Sequence, residues 1–195
     1  MEERDVARPL PGRTGTRMVH DGRIVKLSLD TVRFPDGSEG TLEMIRHPGA
    51  SAVLPVVGSL DEEDPDILLI HQFRYAAGGW IWEVPAGIPL GPDEEWVACA
   101  KRELEEETGH RAGNVRPLTR VYTTPGFTDE VIHLFLATGL TPGERNLDDD
   151  EFMEVVRMPF SRALEMVRTG EIVDGKSVST ILFAAAFVMG VQRME

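Results

Sequence analysis

The sequence contains a single cysteine, Cys99, among its 195 residues. An internal disulfide is therefore excluded, and one thiol agrees with a reducing cytoplasm. Long apolar runs are also missing, because the run at residues 178–191 is too short to cross a bilayer. Residues 1–16 have no apolar segment, so we expect no signal peptide. Together these features predict a cytoplasmic protein.

The sequence is also poor in positive charge, with 20 lysines and arginines against 33 acidic residues and a net charge of −13. This balance argues against nucleic acid or an anionic membrane as a partner. An anionic substrate would then need metal ions and local arginines. The histidines show no ligand spacing, no Ser-His-Asp or CxxC arrangement is visible, and Gly87 and Gly91 lack the Gly-Lys-Ser/Thr of a phosphate-binding loop. A hydrolytic triad and kinase chemistry are therefore unsupported.

Acidic side chains are concentrated in residues 93–108, a segment without glycine or proline that we predict to be a helix. Asp93 is a candidate N-cap and Gly109 a candidate C-cap. At about 100° per residue, one side of this helix is apolar and predicts a buried stripe. The stripe consists of Val97, Ala100 and Leu104.

Three carboxylates, those of Glu103, Glu106 and Glu107, share a neighbouring face of this predicted helix, and we expect Glu106 and Glu107 to face outward. Such groups repel one another by up to about half a kcal/mol per pair. Several lie in the last turn, where the helix dipole disfavours anions. A hard cation such as Mg²⁺, which takes carboxylate ligands and often binds substrate phosphates, explains the cluster. The alternative is a solvated acidic face.

This segment resembles the signature box of the Nudix hydrolases, which is G, five residues, E, seven residues and then R-E-U-x-E-E-x-G-U, where U is bulky and apolar. Glu94 lies seven residues before Arg102. The later positions match in register: Arg102, Glu103, Leu104, Glu106, Glu107 and Gly109. Two positions depart, because six residues separate Gly87 from Glu94 and His110 replaces the final apolar residue. The resemblance implies metal ions on Glu103, Glu106 and Glu107, with Arg102 paired to a box glutamate such as Glu106.

Two stretches before the box resemble the ADP-ribose pyrophosphatase branch of that family, namely Gln72-Phe73-Arg74 and Trp82-Glu83-Val84-Pro85-Ala86-Gly87. Arg74 is expected to hold a phosphate bidentately, against the alternative of a surface ion pair. Glu83 is expected to face the metal–phosphate site, and Ala86 to offer its backbone carbonyl as a ligand. Trp80 and Trp82 are candidates to stack a base, with core packing or a dimer contact as alternatives.

Two later loops resemble the same branch. In the first, Phe127 and Glu130 are candidate contacts to the sugar side of the substrate, a plain turn being the alternative. The second is the acidic loop at residues 148–151, which resembles the loop that supplies the catalytic acid. Glu151 is the first candidate for the general base and Asp149 the second. If neither acts, the base lies among the box glutamates, with Glu106 the candidate.

The predicted fold is α/β. We expect a Nudix-type α-β-α sandwich with a mixed sheet at residues 49–195, behind an N-terminal tail and small antiparallel sheet at residues 1–48. Residues 1–16 are expected to be disordered or loosely attached. The N-terminal segment packs in a dimer in the ADP-ribose branch, which implies a homodimer with Arg46 near a phosphate or base.

The resemblance implies Mg²⁺-dependent, or Mn²⁺-dependent, hydrolysis of the diphosphate bond of ADP-ribose or a related nucleoside-diphosphate sugar. The products would be a nucleoside monophosphate and a sugar phosphate. One alternative is a Nudix activity on GDP-sugars, dinucleoside polyphosphates or FAD. The other is a nucleotide-binding module without catalysis, whose mark would be an eroded box, and every metal glutamate is present here.

Overall fold

The computed structural model describes residues 11–147 and 151–190. Backbone packing groups these residues into two units. One holds the described residues up to His47 together with Thr124–Glu130, and the other holds Pro48–Thr123 with the described residues from Val131 onward. The sequence division between residues 48 and 49 stays a prediction.

The first unit is an antiparallel sheet of three strands, β1 (Gly12–Asp21), β2 (Lys26–Arg33) and β3 (Glu39–Arg46), in that order. The small N-terminal sheet is therefore confirmed. The expectation that residues 1–16 lack order is wrong from Gly12 onward, because β1 pairs with β2 between Gly12 and Asp21. Almost every β1 side chain is exposed, so backbone hydrogen bonds form this strand and no apolar alternation announces it.

The second unit contains the remaining strands: β4 (Ala50–Val57), β5 (Asp66–Arg74), β6 (Gly79–Glu83), β7 (Ala86–Gly87), β8 (His110–Tyr122), β9 (Val131–Pro142) and β10 (Met153–Pro159). The main path of the sheet is β10-β5-β4-β9-β8, while β6 pairs with β5 and β7 with β4. Strands β4 and β9 run parallel and the other pairs run antiparallel. The sheet is mixed, as predicted.

Three helices cover this sheet: α1 (Trp96–Thr108), α2 (Phe160–Thr169) and α3 (Gly175–Phe187). Neighbouring residues of a strand face opposite sides, and Val53 packs with Leu104 of α1 whereas Leu54 packs with Ile181 of α3. Helix α1 therefore lies on one face and α2 with α3 on the other, which makes the three layers. No helix within the described ranges is long and apolar enough to span a membrane.

Helix α1 ends as predicted and begins later. Gly109 has a left-handed φ of 70°, and its N–H donates to the carbonyl of Glu105, which is the geometry a C-cap glycine supplies. The helix begins at Trp96 rather than Asp93. The reason is that Glu94 accepts a hydrogen bond from the N–H of Leu90 at 2.7 Å, which holds the preceding residues in a turn.

Candidate active site

Arg102 joins the box helix to the loop before it. Its Nε donates to Glu94 over 2.9 Å, and one terminal nitrogen donates to Glu103 over 2.7 Å and to Glu106 over 2.8 Å. The predicted pairing with Glu106 is confirmed. The other terminal nitrogen donates to the carbonyl of Ile88 at 3.0 Å. These partners, with Glu94 first, raise the pKa of Arg102, so this cation is permanently charged and fixes the loop to α1.

Glu107 is buried, with 2% of its surface exposed, so the expectation that it faces outward is wrong. It lies three residues after Leu104, and this spacing turns it toward the sheet. Its carboxylate accepts the N–H of Ala86 at 3.0 Å. Burial, followed by the charge of Glu103, raises the pKa of Glu107 well above its usual value. Ala86 thus meets the cluster through its N–H, and a role for its carbonyl stays a prediction.

Glu103 packs against Gly87, the first glycine of the box. A side chain at Gly87 would overlap the Glu103 carboxylate, so the glycine lets this carboxylate lie against the backbone, and a larger residue would displace it. Burial raises the pKa of Glu103 to about 7 against the opposing effect of Arg102. Glu106 is more open, with 35% of its side chain exposed.

Glu151, the first candidate for the general base, lies in the same electrostatic environment. Its charge contributes to the raised pKa of both Glu103 and Glu107. The structure therefore places Glu151 near the box helix. The second candidate, Asp149, lies outside the described residues.

The donor set fits a hard divalent cation. The carboxylate of Glu107 accepts an amide N–H, and the neighbouring Glu103 raises its pKa. Added positive charge stabilises carboxylates in such an environment. Within the described ranges, no three acidic, histidine or cysteine side chains are arranged to hold a metal ion. Glu103 and Glu106 are instead both hydrogen-bonded to Arg102. A further sign is Gln72, whose buried Oε1 has no hydrogen-bond partner and which lies two residues before Arg74 on the same face of β5.

Glu83 is equally buried, at 1% exposed, but its charge is balanced. Arg74 donates to both of its carboxylate oxygens, at 2.7 and 2.9 Å, and Lys176 donates to the same carboxylate. Burial acts to raise the pKa of Glu83, yet the hydrogen bonds from Arg74 and the charge of Lys176 lower it overall. Glu83 therefore orients Arg74, of which 43% of the side chain remains exposed.

Sequence reasoning missed Lys176 and a motif around it. Residues 170–177, GEIVDGKS, formally match the G-x4-G-K-S pattern of a phosphate-binding loop. The segment connects α2 to α3 instead of following a strand, and Lys176 pairs with Asp174 at 3.0 Å as well as with Glu83. Asp174 in turn caps α3 by accepting the N–H of Ser177 at 3.0 Å. Two carboxylates beside the lysine make this a structural ion network and not a phosphate loop.

The two tryptophans lie away from the carboxylate cluster. Trp82 stacks on His71 with ring centroids 4.4 Å apart, and Trp80 pairs in register with Phe73. Residues 71 and 73 of β5 face the side opposite to Gln72 and Arg74. Trp82 also packs against the core cluster beside α2 and α3, so core packing is the better interpretation for it.

The remaining candidates belong to the first unit. Arg46 pairs with Asp30 and, at 2.9 Å, with Asp129. Phe127 is 48% exposed, and its carbonyl accepts the N–H of Ile45 at 2.7 Å. Glu130 lies 3.3 Å from His47. Contacts of these three residues to substrate stay predictions.

Comparison with known proteins shows which family this chain resembles. Residues 48–179 match the NUDIX domain. ADP-ribose pyrophosphatase of Bacillus subtilis (strain 168) is 36% identical, over 94% of this chain and 92% of the relative. GDP-mannose pyrophosphatase of Escherichia coli O1:K1 / APEC is 43% identical, over 57% of this chain and 62% of the relative. A crystal structure of an ADP compounds hydrolase superposes with a TM-score of 0.77 at 20% identity, covering 92% of this chain and 95% of the other.

The chain belongs to the Nudix family. The predicted Nudix-type α/β fold is confirmed by the likeness to the solved hydrolase, and the predicted pyrophosphohydrolase class is confirmed by the family match and the relatives. Nudix hydrolases generally use divalent metal ions, which agrees with the excess of carboxylates around Glu103 and Glu107.

Proposed function

We propose that this Nudix hydrolase cleaves the diphosphate bond of ADP-ribose or a related nucleoside-diphosphate sugar with Mg²⁺ or Mn²⁺. The products are a nucleoside monophosphate and a sugar phosphate. The observation that carries this proposal is the buried Glu107 with Glu103 beside it on the box helix, in a chain 36% identical to an ADP-ribose pyrophosphatase over most of its length.

In this proposal Glu103, Glu106 and Glu107 hold the divalent ions, with the carbonyl of Ala86 as a further ligand. Bound divalent ions neutralise the diphosphate and acidify a coordinated water. Arg74 binds a phosphate oxygen with the N–H groups that Glu83 does not occupy, because the pairing with Glu83 fixes the direction of the guanidinium. Glu83 lines the metal–phosphate site as the partner of Arg74. Arg46, Phe127 and Glu130 are proposed to contact the nucleoside or sugar side.

Glu151 takes the proton from the attacking water. It lies close enough for its charge to act on Glu103 and Glu107, and it stands two residues before β10, which anchors it. We expect Glu151→Gln to lower kcat by roughly 10² or more with little change in KM, because a general base acts in the transition state. A nearly fully active Glu151→Gln with a dead Asp149→Asn would move the role to Asp149. Full rate in both would move it to Glu106 or another box glutamate.

A second candidate substrate is a GDP-sugar. The 43% identity to a GDP-mannose pyrophosphatase is higher than that to the ADP-ribose relative, although it covers only 57% of the chain. The box is common to both activities, so the difference lies in the residues that meet the base and the sugar.

A product assay separates these candidates. The purified enzyme would be incubated with ADP-ribose, GDP-mannose, diadenosine polyphosphates or FAD, each with and without Mg²⁺. We expect AMP and ribose 5-phosphate from ADP-ribose, at the highest kcat/KM of the set, and no turnover in EDTA. Faster release of GMP and mannose 1-phosphate would favour the second candidate. Absence of turnover on all four would contradict the proposal.

We also propose a homodimer formed through the three-stranded N-terminal sheet. Its apolar residues stay exposed within that unit, for example Met18 at 52% and Ile24 at 62%. A sheet of three short strands buries too little surface to be stable with such groups in water. Sedimentation at micromolar concentration should give the mass of two chains, and a monomer would contradict this part of the proposal.

A further inference from the structure

The loop from β9 to β10, residues 143–152, begins on the C-terminal end of α1. The N–H of Gly143 donates to the carbonyl of Gly109 at 2.8 Å, and the N–H of Asn146 donates to the carbonyl of Glu106 at 2.9 Å. Carbonyls in the last turn of a helix have no partner within the helix. The start of the loop therefore supplies hydrogen-bond donors to the carbonyl groups at the end of the box helix.

Arg145 connects that helix end to the other end of the loop. Its Nε donates to the carbonyl of Glu107 at 2.9 Å, and a terminal nitrogen donates to the carbonyl of Met153 at 2.8 Å. Met153 is the first residue of β10 and pairs with Gln72 of β5. One guanidinium thus bridges a box glutamate's backbone and the strand that follows Glu151.

This bridge spans the segment that carries Glu151. Glu151 lies six residues after Arg145 and two before Met153, so both contacts of Arg145 restrict where its carboxylate can lie. A cation at a helix C-terminus is also favoured by the helix dipole. Arg145 lies among acidic residues in the sequence, at residues 144–151. Its guanidinium nevertheless donates to the backbone carbonyls of Glu107 and Met153.

We propose that Arg145 is a positioning residue, which fixes the distance between Glu151 and the box carboxylates by tying the carbonyl of Glu107 to that of Met153. The inference rests on the proposed function of Glu151 as general base. Arg145 itself contacts neither substrate nor metal in this account. Its effect on the rate passes through Glu151.

The test is a double-mutant cycle of Arg145→Ala and Glu151→Gln, with kcat, KM and the half-saturating Mg²⁺ concentration measured for each. We expect Arg145→Ala to lower kcat by about tenfold or more, because misplacing a catalytic group by an ångström is costly. KM and the Mg²⁺ dependence should change less than about twofold. In the Glu151→Gln background the same substitution should cost almost nothing further, since coupled residues are not additive.

Two variants separate geometry from charge and from general surface effects. Arg145→Lys keeps the positive charge but lacks the planar guanidinium that donates to both carbonyls. Its kcat should therefore fall as far as that of Arg145→Ala. The matched control is Arg162→Ala, which removes an exposed guanidinium paired with Glu171 at 2.9 Å on α2 and should keep the wild-type rate. A wild-type rate in Arg145→Lys would overturn the proposal. Equal rates in Arg145→Ala and Arg162→Ala, or fully multiplicative losses of kcat in the cycle, would also overturn it.

Amide hydrogen exchange gives a readout that does not depend on the reaction. The amides of Gly143 and Asn146 should exchange about tenfold faster or more in Arg145→Ala than in Arg162→Ala, because the loop is released locally. Unchanged exchange would overturn the bridge even if activity fell. If the wild-type enzyme cleaved none of the nucleotide substrates, the proposed function would fail while the exchange result still decided the role of Arg145.

Discussion

Glu107 and Glu83 are both buried glutamates, yet their pKa values are displaced in opposite directions. The pKa of Glu107 is raised by burial and by neighbouring carboxylates. Burial acts on Glu83 in the same sense, but Arg74 and Lys176 reverse it. Burial is therefore not what distinguishes the two sites. The difference is the balance of charge around each carboxylate.

This difference separates a binding site from a structural network. The carboxylate of Glu83 already has cationic partners, so an added metal ion would gain little there. Glu107 is paired with the amide of Ala86, and Glu103 shares the one guanidinium of Arg102 with Glu94 and Glu106, so an added cation would stabilise both. The same physical rule that makes unbalanced buried charge unfavourable thus supports the proposal of a metal site at Glu103 and Glu107.

The largest effect is expected for Glu107→Gln. This substitution keeps the shape and the hydrogen bond from Ala86 but removes a metal-binding charge. Hydrolysis should fall by about 10³-fold, which corresponds to the several kcal/mol that a metal ion contributes to transition-state stabilisation. The metal-free variant should be at least as stable as the wild type by thermal unfolding. Loss of stability, or an unchanged rate, would place Glu107 outside the metal site.

The matched substitution Glu83→Gln should act on stability first. It leaves Arg74 and Lys176 beside a neutral amide, and breaking a buried ion network typically costs about 3 kcal/mol or more. Denaturant unfolding of the metal-free variant would measure the loss. A Glu83→Gln protein as stable as the wild type would show that the network is not the balanced structure described here.

The two sites should also give opposite dependences of stability on pH. Glu103 has a pKa raised from 4.5 to about 7, so the folded state binds protons more tightly and metal-free stability should fall as pH rises through that range. The expected loss is on the order of 1–3 kcal/mol, and Glu103→Gln should remove it. Glu83, with a lowered pKa, contributes stability that is lost as the pH falls below 4.5. Denaturant curves of the metal-free protein across pH 4 to 8 would contradict this if stability rose monotonically through neutral pH.

A smaller effect is expected for Gly87→Ala, because the added methyl displaces the Glu103 carboxylate without removing it. We expect the half-saturating Mg²⁺ concentration to rise by about tenfold, as for losses of a ligand's supporting contacts. Gly91→Ala is the control in the same loop, because a side chain there meets no atom within 4 Å. Equal half-saturating Mg²⁺ concentrations in the two variants would show that the close approach of Glu103 to Gly87 does not affect metal binding.

The sequence predicted the parts of this site that depend on local spacing. Residues three and four apart on one helix place Glu103, Glu106 and Glu107 together, and Gly109 marks the helix end. It did not predict the burial of Glu107, because a carboxylate at a core-facing position contradicts the apolar pattern used to find the core. Such a conflict between spacing and polarity is itself typical of a functional site.

The long-range contacts could not be predicted from the sequence, for a different reason. Lys176 and Glu83 are 93 positions apart, and no periodicity links them. Arg145 likewise meets Glu107 across 38 positions. The first half of β1, residues 12–16, was missed because its side chains are mostly exposed and its pairing is carried by the backbone. Patterns of hydrophobicity predict which apolar side chains are buried. These ion pairs, backbone contacts and exposed strand residues do not depend on the burial of apolar side chains.

Calorimetric titration of Mg²⁺ into the metal-free protein tests the central claim most directly. It would be run at about pH 7 in two buffers of different ionisation enthalpy, because metal binding to protonated ligands releases protons. The wild type should bind Mg²⁺ with proton release, and Glu107→Gln should bind much more weakly. Binding without proton release, or equal binding by Glu107→Gln, would contradict the claim that unbalanced buried carboxylates form the metal site.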